Sequence, residues 1–115
     1  MKYKDIYITT LKMTILYRIG QHAAENFELI DASKEDDLWF HVNERPSAHV
    51  VAEVPEGMDK KELKYIIKQG VVLCKQESKY VSEKKLPIIY AKIKNIEKTA
   101  VVGQVNVLQG TIVVC

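Results

Sequence analysis

"DDLWFHVNERPSAHVV", Asp36 to Val51, decides the fold. Its centre, "NERPS" (43–47), has the composition of a loop, and the residues on either side alternate. The spacing predicts two antiparallel strands, Asp37–Val42 and Ala48–Val54, with Val42 opposite Ala48, His41 opposite His49, Phe40 opposite Val50, Trp39 opposite Val51 and Asp37 opposite Glu53. Successive strand residues point to opposite faces, so Leu38, Phe40, Val42, Ala48, Val50, Ala52 and Val54 share one wholly apolar face, which must be core. The other face carries Asp37, Trp39, His41, His49, Val51 and Glu53. A slip of one residue would drive the histidines and carboxylates into the core, so the pattern fixes which face is which. Asp37 opposite Glu53 is mildly repulsive and calls for a basic neighbour or a different local pairing.

Working outward, "YKDIYITT" (3–10) and "KMTILYRIG" (12–20) read as two strands around a tight turn near Thr10. Ile6, Ile8, Met13, Ile15, Tyr17 and Ile19 face inward. "QHAAENFELIDA" (21–32) has helical spacing, with Ala23, Phe27 and Ile30 on its buried side. After the turn "PEGMD" (55–59), with Asp59 as N-cap, a helix is expected from Lys60 to Val81. "KKLP" breaks it, Pro87 opens a strand through Lys94, and "VVGQVNVLQGTIVVC" (101–115) reads as two strands around Gln109-Gly110. This order predicts a single α+β domain over residues 1–115, a mainly antiparallel β-sheet with two helices packed on it.

The totals set limits. At 115 residues the chain can bury one modest core. No apolar run nears the roughly 20 residues of a membrane-spanning helix, and "MKYKDIYITT" is not a signal peptide. Two cysteines make no disulfide framework, so a reducing, cytoplasmic setting without membrane contact is expected. Net charge is +2 but uneven. Residues 1–59 hold 6 Lys+Arg against 11 Asp+Glu, whereas residues 60–98 hold 11 Lys against 4 Glu. A basic half leaves room for a polyanion, although most surface charge serves only solvation.

On the polar face of the hairpin, opposed His41 and His49 suit shared ligation, but Asp37 lies on the order of 13 Å along the strand from His41. A third ligand would have to come from elsewhere, such as His22, and neither a metal nor any other cofactor is expected. No cysteine lies near the histidines, and no Gly-rich phosphate loop is present. Two readings remain for this face. Trp39 fills a second packing layer above structural histidines, or it is a platform for a stacked base, with His41 and His49 donating to phosphate or base edges. On the long helix, Leu63, Ile66, Ile67, Gly70, Val71, Cys74 and Val81 gather into one stripe, with Ser78 among them. Lys61, Lys64, Lys68, Lys75 and Lys79 form a ridge beside it. The following strand presents Ile88, Tyr90, Lys92 and Lys94 outward, aromatics and lysines alternating as suits an RNA backbone.

"DLWFHVNERPSAHVV" (37–51) resembles the motif of the NFACT-R domain, the RNA-binding module of the NFACT proteins of ribosome-associated quality control. "IGQHAAENFELI" (19–30) resembles that family's Gly-x-x-x-x-x-Asn-x-x-Leu element, and "LCKQESK", "LPIIYAKIKNIEKTA" and "VGQVNV" match its later blocks. The Ser47-Ala48-His49 spelling is similar to short, stand-alone members of the coiled-coil-domain-containing group. Where the family commonly has a basic residue and Asn after the glycine, Gln21-His22 stands here. The sequence holds none of the NFACT N-terminal domain, helix-hairpin-helix segment or coiled coil, nor the charged tail of the stand-alone relatives. The resemblance implies RNA binding and a link to tRNA and the large ribosomal subunit.

The expectation is therefore a small non-enzymatic RNA-binding module with tRNA or rRNA as partner, alongside the ribosome or proteins associated with it. Asp37, Trp39, His41, Arg45, Ser47 and His49 form its aromatic and histidine face, and Lys61, Lys64, Lys68, Lys75, Lys79, Lys92 and Lys94 supply charge. One rival is a hydrolase or nucleotide-processing enzyme using the His41/His49 face, with one imidazole as general base. The other is a protein-interaction domain without nucleic acid, marked by an apolar patch around Tyr65 and Val72.

Overall fold

Period-two patterning over 38–42 and 49–52 becomes the centre of the sheet in the computed structural model, which describes all 115 residues. Strand β3 (Leu38–Val42) pairs antiparallel with β4 (His49–Ala52), Phe40 opposite Val50 and Trp39 opposite Val51, the register read from the sequence. The first hairpin, β1 (Lys2–Ile8) and β2 (Met13–Gly20), joins through β2 to β4. Strands β5 (Pro87–Lys92) and β8 (Thr111–Val114) extend the other side, giving the order β1-β2-β4-β3-β5-β8 with every neighbour antiparallel. Between them a 3-10 turn (Ile93–Asn95) leads into β6 (Ile96–Lys98), which forms a separate ribbon with β7 (Val105–Val107).

Both faces of the sheet are covered, so the domain is α+β in three layers. Helix α2 (Lys60–Gln76) lies over the apolar face of the hairpin, burying Ile66, Leu73 and Cys74 against Tyr17, Phe40 and Val50. Its start is fixed by a capping box, Asp59 accepting from Glu62 N and Glu62 accepting from Asp59 N. Helix α1 (Ala23–Asp31) covers the opposite face, where Leu29 and Ile30 join Trp39, Val51, Ala91, Ile93 and Ile96 in a second core.

Several expectations need correction. In α1 the buried residues are Asn26, Leu29 and Ile30; Ala23 is exposed and Phe27 half-buried, because the helix turns its Asn26 side onto Gly20. Helix α2 ends at Gln76 rather than Val81, which is 53% exposed. The stop is built by Ser78, whose hydroxyl donates to Lys75 O and accepts from Tyr80 N. Strand β5 ends at Lys92, and Ile88 is not an outward residue but part of the core beneath α2, with Tyr90 packed against it. The two tail strands form as expected but do not pair with each other: β7 joins β6 and β8 joins β5. Asp37 does not face Glu53 across the ladder, which stops at Leu38–Ala52.

Candidate nucleic-acid interface

The loop between β3 and β4 is held from within. Ser47 Oγ accepts from Val42 N at 3.1 Å and donates to Ala48 O at 3.2 Å, while Asn43 N donates to Pro87 O. This arrangement aims His41 and His49 at the same space. Their rings meet edge-on with centroids 4.8 Å apart, and His41 stacks on the indole of Trp39 at 5.5 Å and 11°. Trp39 Nε1 donates to His49 Nδ1 at 3.0 Å. An indole nitrogen can only donate, so His49 Nδ1 must be bare and its proton must sit on Nε2. Burial, reinforced by neighbouring His41, pushes the His49 pKa down to about 3. Burial also lowers His41, partly offset by hydrogen bonds to the Val42 and Ser47 backbone.

The same rings floor a cleft of about 940 Å³. One wall is the first turn of α1, with His22 and Asn26; a second is the loop with Arg45 and Ser47. Lys79, just past α2, and the segment 99–107 with Gln104, Val105 and Val107 complete the lining. Gly103 lets that segment lie on α1: its φ is +86°, and a Cβ there would come within 2.7 Å of Ala23 Cβ. Gly20 does the same beneath Asn26, whose Oδ1 would stand 2.3 Å from an added Cβ. His22 caps α1 by accepting from Glu25 N, so it is not a third ligand beside His41 and His49, and no three His, Cys, Asp or Glu side chains converge as a metal site requires. The amino terminus of Met1 and the backbone N–H of Gln21 both donate to Glu25 and hold its carboxyl below the usual range.

Six of the thirteen residues singled out in the sequence meet at this cleft: Trp39, His41, Arg45, Ser47, His49 and Lys79. Trp39 does so differently from expectation. At 1% exposure it is packed in the core under α1 and offers no open face for stacking; half-buried His41 is the ring nearer solvent. Arg45 lies 4.9 Å from the Tyr80 ring and pairs with Glu83. Asp37 lies off the cleft, 1% exposed, accepting from Val54 N and Lys34 N. Lys61, Lys64 and Lys68 are exposed on α2, across the sheet from the histidines, and Lys75 donates to Cys115 O. Lys92 and Lys94 sit 3.6 and 3.7 Å from Asp36. Asn26, Gln104 and Asn106 also line the cleft; neutral amides carry no charge or periodic signal, and only the family-like blocks 19–30 and 102–107 contain them in the sequence.

Residues 4–114 match the family described as the NFACT protein RNA binding domain. The coiled-coil domain-containing protein 25 homolog of Dictyostelium discoideum is 30% identical over 97 residues, 83% of this chain and 47% of that protein. Coiled-coil domain-containing protein 25 of Danio rerio is 32% identical over 84 residues, 71% of this chain and 41% of that protein. The chain thus spans less than half the length of these relatives. In fold it is similar to the C-terminal part of the fibronectin/fibrinogen-binding protein from Streptococcus suis, with a TM-score of 0.77 and 21% identity over 99% of this chain and 45% of that one. With nearly its whole length matched, the chain belongs to the NFACT protein RNA binding domain family.

Proposed function

We propose that the domain is a non-enzymatic RNA-binding module that takes RNA at the cleft beside His41 and His49. Its targets are tRNA or rRNA at or near the ribosome, in the cytoplasm. The observation that carries this reading is the 940 Å³ cleft itself, floored by imidazoles and rimmed by Arg45 and Lys79. Imidazole rings and amide side chains suit unpaired bases, and cations at the rim suit the phosphates that follow them. The free thiols of Cys74 and Cys115 suit a reducing compartment, and no helix is long and apolar enough to cross a membrane.

The enzyme reading loses His49 as its general base, which needs a free lone pair, because the Nδ1 lone pair is occupied by the indole. The lysine ridge on α2 faces away from the cleft, so it adds long-range attraction rather than contact.

A filter-binding salt titration with tRNA separates these parts. Lys79→Ala should flatten the dependence of log affinity on log salt by about 0.7 to 0.9 per lost phosphate contact. Lys61→Ala and Lys68→Ala should leave the slope unchanged. The reverse pattern would move the site to α2, and wild-type protein that fails to bind at low salt would refute RNA binding.

A further inference from the structure

We infer that the floor of the cleft receives an unpaired keto nucleobase, uracil or guanine, with its exocyclic oxygen on the Nε2–H of His49. The inference deepens the RNA-binding reading and rests on it. The Trp39–His49 hydrogen bond fixes the imidazole as a donor toward the cleft, because Nδ1 is already occupied. Nε2 has no partner in the protein, and the only polar side-chain atoms sealed from the surface without one are Arg18 Nε and Asn26 Oδ1. The Nε2 donor of this cleft-lining residue is therefore open to a ligand.

What it can accept follows from charge. The cations at the cleft are Lys79, which is exposed, and Arg45, which is bound to Glu83; neither is buried beside His49. A phosphate brought to the floor would lose water without gaining a counter-charge, whereas a base carbonyl needs only the one donor. Uracil O4 and guanine O6 accept, while the corresponding amino groups of cytosine and adenine would point N–H at N–H. The floor is also set in advance: β4 pairs on both sides, and Trp39 and His41 hold the ring at its edges.

Fluorescence anisotropy with short labelled oligo(U) and oligo(C) compares, at equal charge and equal size, bases that exchange O4 for an amino group and N3–H for a bare N3. Wild-type protein should bind oligo(U) about three- to tenfold more tightly, the range of one hydrogen bond. The preference should hold between pH 7.5 and 5.5. The other titratable groups at the cleft are His41 on β3, His22 before α1, Glu44 and Arg45 in the loop, and Glu77 and Lys79 after α2. His49→Ala should reduce oligo(U) to the oligo(C) level without changing the salt slope. Trp39→Phe keeps an aromatic ring but removes the indole donor, so the U preference should become pH-dependent even where His49→Ala unfolds. Equal binding of both oligomers by wild-type protein would overturn this inference and leave RNA binding standing. Binding of neither at low salt would overturn both, and a pH-independent U preference in Trp39→Phe would remove the indole from the account.

Discussion

Gly70 of α2 rests on the ring of Phe40 in β3: a Cβ at Gly70 would stand 2.2 Å from Phe40 Cζ and 2.5 Å from either Cε. Glycine inside a helix costs about 1 kcal/mol relative to alanine, so helix propensity alone favours Gly70→Ala. Contact decides otherwise. Phe40 is fully buried and the ring has no free volume to enter, and overpacking of this kind costs about 1–3 kcal/mol or more. We expect Gly70→Ala to lower stability by roughly 1–2 kcal/mol net, read as a fall in urea midpoint at unchanged slope. In a Phe40→Leu background the same change should be neutral or stabilising, because the clash is gone and the propensity gain remains.

Asp37 makes a different test, because its chemistry suggested binding and its surroundings do not. Its two oxygens accept from Val54 N at 3.0 Å and Lys34 N at 2.9 Å, and Arg18 lies 3.7 Å away. Asp37→Ala should cost about 3 kcal/mol, since it strands the buried Val54 N–H, releases the part-buried Lys34 N–H and removes the counter-charge of a largely buried arginine. For a domain of this size that is a fall on the order of 10 °C in Tm. RNA affinity, measured where the variant is still folded, should be unchanged. A selective loss of affinity with normal Tm would return Asp37 to the binding face.

The hairpin was legible because one face had to be apolar, which fixes the faces, and the short loop set the pairing; Phe40, Val50, Trp39 and Val51 lie where that reading put them. Alternation is blind, however, to whether the second face meets water or another layer. Trp39 and Val51 look alike in a one-sided and a two-sided sheet, and it is α1, with the 3-10 turn and the β6–β7 ribbon, that buries them on that side. The end of α2 was missed for a related reason: Val81 falls in phase with the apolar stripe, but the Ser78 hydroxyl competes for the Lys75 carbonyl and stops the helix first. The tail strands were found without their partners: β7 closes on β6, a short strand whose spacing carries no clear alternation, and β8 reaches back past both to β5, which local spacing does not encode. The histidine pair was visible in the sequence; the cleft above it, made by residues 99–107 folding back on α1, was not.

Acid should weaken the fold in a window set by the histidines. In the unfolded chain His49 takes up a proton near pH 6.5; folded, it resists to about pH 3, and His41 is displaced in the same direction. Between those limits the unfolded state binds more protons, so unfolding free energy rises with pH. The contribution is therefore complete above about pH 6.5 and is lost progressively as pH falls toward 3. Each histidine that titrates only when unfolded adds a slope of up to about 1.4 kcal/mol per pH unit. Taking the protein from pH 7 to pH 5 should then cost on the order of 2–3 kcal/mol, above the range where ordinary carboxylates titrate. His49→Gln keeps an acceptor for the indole while removing the titrating group, so it should be less stable than wild type at pH 7 yet lose up to about 1.4 kcal/mol per pH unit less on acidification. Urea midpoints at half-unit pH steps read both lines directly. Parallel lines for variant and wild type would mean that folded His49 charges as readily as the unfolded chain does, against its burial beside His41.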